Sequence, residues 1–332
     1  MRALIKSINP KLAAKCEVGK NRWVIPHGSI SLEIRLDDAA GWLELRAPFV
    51  QLAPEPGAAP LRLALELNTY NLRLPKLTPE GNRLVFQYRV PIDLTEPVKI
   101  YGIISDICLT GDSYDDEYIT KFGAMAIGEK KTTPLSSARM EKAWNIFSSI
   151  LAEAKQYSDY FASRRQPGYN LEIQGIALFR IDHALCPQGY LRTRLERSVG
   201  HLWDNRPVEE IITIISGELD EYRRMPREEL ERNLYQAAFF VAAKKNAEMQ
   251  TCQKHITRRW EWAQEDRANG SFQGLVLCYL FAAYDLLYRF FLPPKLEKEL
   301  TSTLADMAGQ SWENAGKLAW NSFQKIMSPS YA

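Results

Sequence analysis

The spacing of apolar residues changes once along this chain, near residue 92, and that change divides it into two kinds of structure. Before it, Ser31-Leu32-Glu33-Ile34-Arg35-Leu36 and Leu84-Val85-Phe86-Gln87-Tyr88-Arg89-Val90 alternate apolar with polar residues. A two-residue period is that of a strand with one buried face. After it, Val98, Tyr101, Ile104, Ile107 and Cys108 fall at helical spacing, and the pattern stays helical to the end. The fold expected is α+β: an antiparallel sheet with a few helices, then an all-α bundle.

Within the first part, Asp37-Asp38-Ala39-Ala40-Gly41 is a turn ending in glycine, so the strands on either side should form a hairpin. In WLELRA (42–47) Leu43 and Leu45 then face the core and Trp42 shares the other face with Glu44 and Arg46. Pro60 suits the first turn of a helix carrying Leu61, Ala64, Leu65 and Asn68. A strand is expected at YNLRL (70–74), followed by a proline-and-glycine turn, PKLTPEGN (75–82).

The stretch GEKKTTP (128–134) reads as a linker between a domain over 1–127 and a helical domain over 135–332. Amphipathic segments follow at about 136–164, 171–185, 189–203, 207–224, 227–266, 271–291 and 295–326, with proline or glycine at nearly every break. The apolar run from Leu275 to Tyr284 is about half the roughly 20 residues of a membrane span, and Asp285 and Arg289 are spaced to pair across one helical turn. It reads as a buried core helix.

Charge and cysteine content exclude several functions. A formal net charge of +2 with 25% charged residues calls for neither a nucleic-acid backbone nor an anionic membrane as partner. Five scattered cysteines in a long chain fit reduced thiols, and the first residues lack the apolar core of a signal peptide, so a cytoplasmic location is expected.

No glycine-rich phosphate loop and no nucleophile elbow is present, and no catalytic residue or cofactor is expected. His183-x-x-Cys186 and Cys252-x-x-His255 each place two metal-binding side chains on one helix face. A zinc site would require the two pairs to converge; the favoured reading is small buried thiols with surface or capping histidines. The acidic stretch DSYDDEYITKFGA (112–124) fails as a calcium loop, because Tyr114, Glu117 and Gly123 stand where an oxygen ligand, glycine and glutamate are needed. As a helix it aligns Tyr114, Tyr118 and Phe122 inward and turns Asp112 and Asp116 to solvent.

The order helix, strands, helix, strands, helix over the first 125 residues resembles the type III secretion chaperone-like fold, and within it the YbjN-type members, bacterial sensory-transduction regulators or peptide-binding chaperones. WVIPHGSISLEI, LELRAPFVQLAP, LALELNTYNL and DSYDDEYITKFGA carry the resemblance. It implies a small α/β domain that commonly dimerises and holds partner polypeptides on its sheet and helix surfaces.

The function expected is therefore a non-catalytic protein- or peptide-binding module, with a homodimer possible. Trp42 and Val85, apolar on polar strand faces, and Phe49, just after a strand, are the candidate contacts. The alternative is an enzyme or small-ligand binder with its site inside the helical bundle, around Asp182, His183, Tyr284 and Asp285.

Overall fold

The computed structural model of the chain describes residues 1–128 and 132–331. They form two compact units. The first comprises Met1–Ser136 together with Pro187–Thr193 and Glu231–Ala243; the second comprises Ser137–Cys186, Arg194–Leu230 and Lys244–Ala332.

Two short helices, α1 (Arg2–Ile8) and α2 (Pro10–Cys16), precede the sheet. Its strands are β1 (Glu17–Gly19), β2 (Arg22–His27), β3 (Ile30–Asp37), β4 (Trp42–Gln51), β5 (Lys76–Glu80) and β6 (Arg83–Pro91), in the spatial order β1-β2-β3-β4-β6-β5. All pairings are antiparallel. The hairpin expected at 37–41 is present: Asp37 faces Trp42, Ala40 N donates to Asp37 Oδ1, and Gly41 takes φ 70°. The alternation decides the buried face, with Ile30, Leu32 and Ile34 of β3 and Leu43, Leu45 and Ala47 of β4 all buried. The far end of β4 pairs with β7 (Met125–Ala126) at Val50 and Gln51.

Helix α3 (Ala58–Tyr70) and helix α4 (Pro97–Phe122) complete the first unit. Ile100, Ile103, Ile104, Ile107, Gly111 and Tyr118 form the buried stripe of α4, which packs on β2, β3 and β4. Gly111 permits this approach, because a Cβ there would stand 2.2 Å from Ile30 Cδ1. Gly123, in the left-handed conformation, ends the helix.

Some local expectations are corrected. Strand β5 covers most of the stretch expected to be a turn, leaving only Gly81-Asn82 to reverse the chain, and 70–74 is not a strand. Pro79 is tolerated because β5 lies at the sheet edge, where a missing N–H costs little. Of the expected linker, residues 129–131 lie outside the described residues, while Thr132–Pro134 (β8) pairs antiparallel with Tyr235–Ala237 (β9). The helix expected over 227–266 is broken into α9 (Arg227–Arg232) and α10 (Met249–Ala268). Between them Phe240 and Val241 join the core of the first unit, and both their amides donate to His27 Nδ1, at 3.1 and 3.2 Å. Tertiary contact there overrides helix propensity.

The remaining helices are α5 (Ser137–Ser163), α6 (Pro167–Leu185), α7 (Gly189–His201), α8 (Val208–Arg224), α11 (Phe272–Arg289), α12 (Pro294–Met307) and α13 (Trp312–Met327). The last two replace one expected helix, since Gly309 at φ 73° breaks the chain and Ser311 caps α13 through Asn314 N. Helices α10 to α13 share one core, in which Trp260 stacks on Trp320 at 4.9 Å. The central α11 is the buried helix expected, and Arg289 Nε donates to Asp285 Oδ1 at 2.6 Å. No helix among the described residues is long and apolar enough to cross a membrane.

Candidate functional site

Leu61, Leu65, Val98 and Tyr101, apolar residues given helical spacing above, are exposed. The buried stripe of α3 is instead Pro60, Ala64 and Leu67, about 110° around the helix from Leu61 and Leu65. In α4 the stripe runs through Ile100 and Ile103, about 150° from Val98. Each helix therefore carries more apolar surface than its own core covers.

Two of the segments that carry exposed apolar residues are tied together. Arg73 pairs with Asp106 through Nη2 and Oδ1 at 2.7 Å, and its Nη2 stands 3.5 Å from where a Cβ on Gly102 would be. The chain leaving α3 is thereby fixed beside the second and third turns of α4. Val98 lies one turn before Gly102 on nearly the same side. On the two chain segments so joined, Tyr70 (84%), Leu74 (47%), Leu94 (61%), Val98 (81%) and Tyr101 (42%) are exposed, with Tyr101 about 100° around α4 from Gly102. Single exposed apolar residues are ordinary; here five large ones lie on the two segments, 70–74 and 94–101, next to the Arg73–Asp106 pair.

The sheet edges are less available. On β5, Asn68 of α3 takes up both outward backbone groups of Leu77: its Nδ2 donates to Leu77 O at 2.9 Å, and its Oδ1 accepts from Leu77 N at 2.7 Å. Pro79 removes a further donor. The opposite edge, β1, has three residues and an irregular register. An added strand would find few free partners on either side.

Of the candidate contacts, Phe49 and Val85 are buried. Phe49 packs edge-on against Phe86 and Tyr118, at 4.9 and 5.1 Å, and belongs to the core of the first unit. Neither side chain offers a surface to a partner. Trp42 is half-buried with the Arg89 guanidinium 4.6 Å above its ring.

The acidic stretch is helical as expected, and Tyr118 is buried with its hydroxyl donating to Pro60 O at 2.8 Å. Its acids, however, do not point freely to solvent. Asp115 and Glu117 are buried and Asp112 and Asp116 are half-buried. Asp112 Oδ1 accepts from Ser29 N at 2.8 Å and from Ser29 Oγ at 3.2 Å. Gly28, at φ 55°, makes room, since a Cβ there would stand 1.7 Å from that oxygen. Helical spacing alone could not show that the turn after β2 reaches this face.

In the second unit the two His/Cys pairs do not converge. Cys252 is buried and its thiol is pushed up to about 11 by burial. His255 Nε2 lies 2.7 Å from Asp285 Oδ2, while His183 meets the Tyr284 ring at 5.9 Å and Cys186 is exposed at a helix end. Among the described residues no group of three or more His, Cys, Asp or Glu side chains could hold a metal ion.

Of the four residues considered for a bundle site, His183 and Tyr284 share a cavity. They line an open cleft of about 650 Å³ with Lys142, Arg180 and Asn145. Asp182 is buried with Lys244 Nζ at 3.6 Å, and Asp285 is spent on His255 and Arg289. Burial, and then the charge of Lys244, lower the His183 pKa, and burial raises that of Tyr284. The cleft thus presents a neutral imidazole and a phenol beside Lys142, Glu141 and Arg180, the last with its Nη2 3.0 Å from Glu153 Oε2. Comparison with known proteins finds no protein-family model, no curated protein and no solved structure that matches this chain.

Proposed function

We propose that the first unit is a non-catalytic protein-binding module that docks an amphipathic helical segment of another protein on the seam formed by Tyr70, Leu74, Leu94, Val98 and Tyr101. The observation that carries this reading is the exposure of those five side chains beside a well-packed core. The spacing of Val98 and Tyr101 within one helical turn suits a partner helix with apolar residues three and four apart. Closed sheet edges favour a helix over an added strand. The resemblance to type III secretion chaperone-like, YbjN-type domains points to a polypeptide partner as well.

The test is the double substitution Leu74→Asp and Val98→Asp in the full chain. Both positions are exposed, so the helical content should be unchanged. Losing two apolar contacts of about 1.5 kcal/mol each should weaken binding of the purified partner roughly 100-fold. An unchanged Kd overturns the proposal, and so does self-association of the wild-type chain that the substitutions abolish.

The cleft of the second unit favours a second reading, a binder of a small anionic ligand with an aromatic or apolar part. Lys142 would meet the charge, with Arg180 shared with Glu153 and Glu141 held by Arg227, and Tyr284 would meet the ring. Benzoate titrated into the full chain should bind, and Arg180→Gln should weaken it; no binding at millimolar concentration refutes this reading.

A further inference from the structure

The segment Glu231–Ala243 reaches the first unit from far along the chain, and the residues that flank it, up to Leu230 and from Lys244, belong to the second unit. Its strand β9 pairs with β8. Residues 238–244, which follow, are neither helix nor strand, yet Phe240 and Val241 are 1% and 3% exposed within the core of the first unit.

Four hydrogen bonds hold the main chain of four consecutive residues. Ala238 O accepts from Gly28 N at 2.9 Å, Phe239 O accepts from Asn9 Nδ2 at 3.2 Å, and the Phe240 and Val241 amides donate to His27 Nδ1 at 3.1 and 3.2 Å. The groups that make these bonds are placed by their own elements. Asn9 caps α2, its Oδ1 accepting from Lys11 N and Leu12 N, which leaves Nδ2 for Phe239. His27 ends β2 opposite Ile30 of β3, and Gly28 begins the tight turn between those strands at φ 55°.

Bonds to main chain read no side chain, so they fit any extended peptide, and selection falls to the buried anchors. Phe240 and Val241 are those anchors, Phe239 lies half-buried with its ring edge-on to His27 at 5.3 Å, and Ala238 and Ala242 are exposed. A paired main chain with apolar side chains in pockets is the way folded domains take up strand-like peptides. Here the chain fills such a site with its own sequence.

We propose that residues 235–241 are an intramolecular ligand, and that the site they fill takes up an extended peptide of another protein with an aromatic residue followed by a branched aliphatic one. Exchange of the segment for such a peptide conserves the hydrogen bonds and the buried apolar area. Its equilibrium is therefore set by the peptide's concentration against the effective concentration of the tethered segment, about 1 mM for short connections. A peptide with better anchors or a longer paired stretch displaces the segment well below that value. The site uses none of the five residues of the docking seam, and the Leu74→Asp and Val98→Asp chain should bind the peptide unchanged.

The probe is a fluorescein-labelled peptide with the sequence of residues 235–245, titrated by anisotropy with the full chain at pH 7.5. Phe240→Ala with Val241→Ala weakens the chain's own anchors, so this variant should bind the peptide at least tenfold more tightly than the wild type does. Methylating the peptide nitrogen at the position of Phe240 removes one donor to His27 and should weaken binding at least tenfold. The double variant opens a cavity in the core and can lose its fold, so the deciding measurement is made on the wild type. With unlabelled peptide at about 2 mM, twice the effective concentration, the chain's own Phe240 and Val241 amides should lose most of their protection from hydrogen exchange. The N-methylated peptide should leave them protected. Unchanged protection overturns the proposal, and so does equal action of the two peptides or a folded double variant that binds no more tightly than the wild type.

Discussion

Acid should loosen the segment Glu231–Ala243 from the sheet of the first unit, through one side chain. His27 ends β2, is buried, and accepts from both Phe240 N and Val241 N at Nδ1. Its ring also meets Phe239 edge-on at 5.3 Å. Protonating Nδ1 turns the acceptor into a donor and breaks both bonds, and burial lowers the His27 pKa from the usual 6.5 to about 4. The opened segment therefore takes up a proton at a higher pH than the closed one does. Stability is full above about pH 6.5, falls as pH drops through the interval toward 4, and levels off below it. Each tenfold difference in proton affinity between the open and closed forms is worth about 1.4 kcal/mol, so the loss is about 2 kcal/mol at pH 5 and about 3 kcal/mol at the acid limit. The assay is hydrogen exchange at the Phe240 and Val241 amides, corrected for the intrinsic rate at each pH. Protection should fall roughly 30-fold between pH 7.5 and 5, the equivalent of 2 kcal/mol. His27→Gln should lower protection at pH 7.5 and remove most of this pH dependence. Wild-type protection independent of pH, or an equal slope in His27→Gln, would refute the reasoning.

Three further substitutions probe the same unit. Gly111→Ala drives a methyl into Ile30 and should lower the unfolding free energy by about 1–3 kcal/mol in urea titration. Asn68→Ala exposes both outward groups of Leu77 on the sheet edge. It should cost about 1–2 kcal/mol and raise the rate of aggregation seen by light scattering. Tyr118→Phe keeps the ring but removes the hydroxyl's bond to Pro60 O, which retains its helical bond, and should cost about 1 kcal/mol by thermal unfolding.

The period of the apolar pattern carried most of the fold. Alternation over 30–36 and 84–90 located the central strands, and the 37–41 turn fixed the register of the first hairpin. Edges and ends were harder to read. The strand at 76–80 has a proline that signals a turn unless its edge position is known, and 295–326 has a helical pattern that a single glycine interrupts. The segment 231–243 was illegible because its partners, His27 and Gly28, lie more than 200 residues away in sequence. The docking surface was only partly visible: Val98 and Tyr101, like the exposed Leu61 and Leu65 of α3, were recognised as apolar and helical, but periodicity assigns such residues to the core by default. Its one available signal was excess, because both helices carry more large apolar residues than a single stripe of about 100° can hold.

Photocrosslinking from the seam tests the account most directly. With a benzophenone amino acid in place of Val98 or of Tyr101, and at exposed Lys20 as control, irradiation in the native host should link the two seam positions to one partner protein. The crosslinked peptides should map to a single amphipathic segment of that partner. Crosslinks that join two copies of this chain, or a pattern no different from that at Lys20, would contradict the claim that this surface docks another protein.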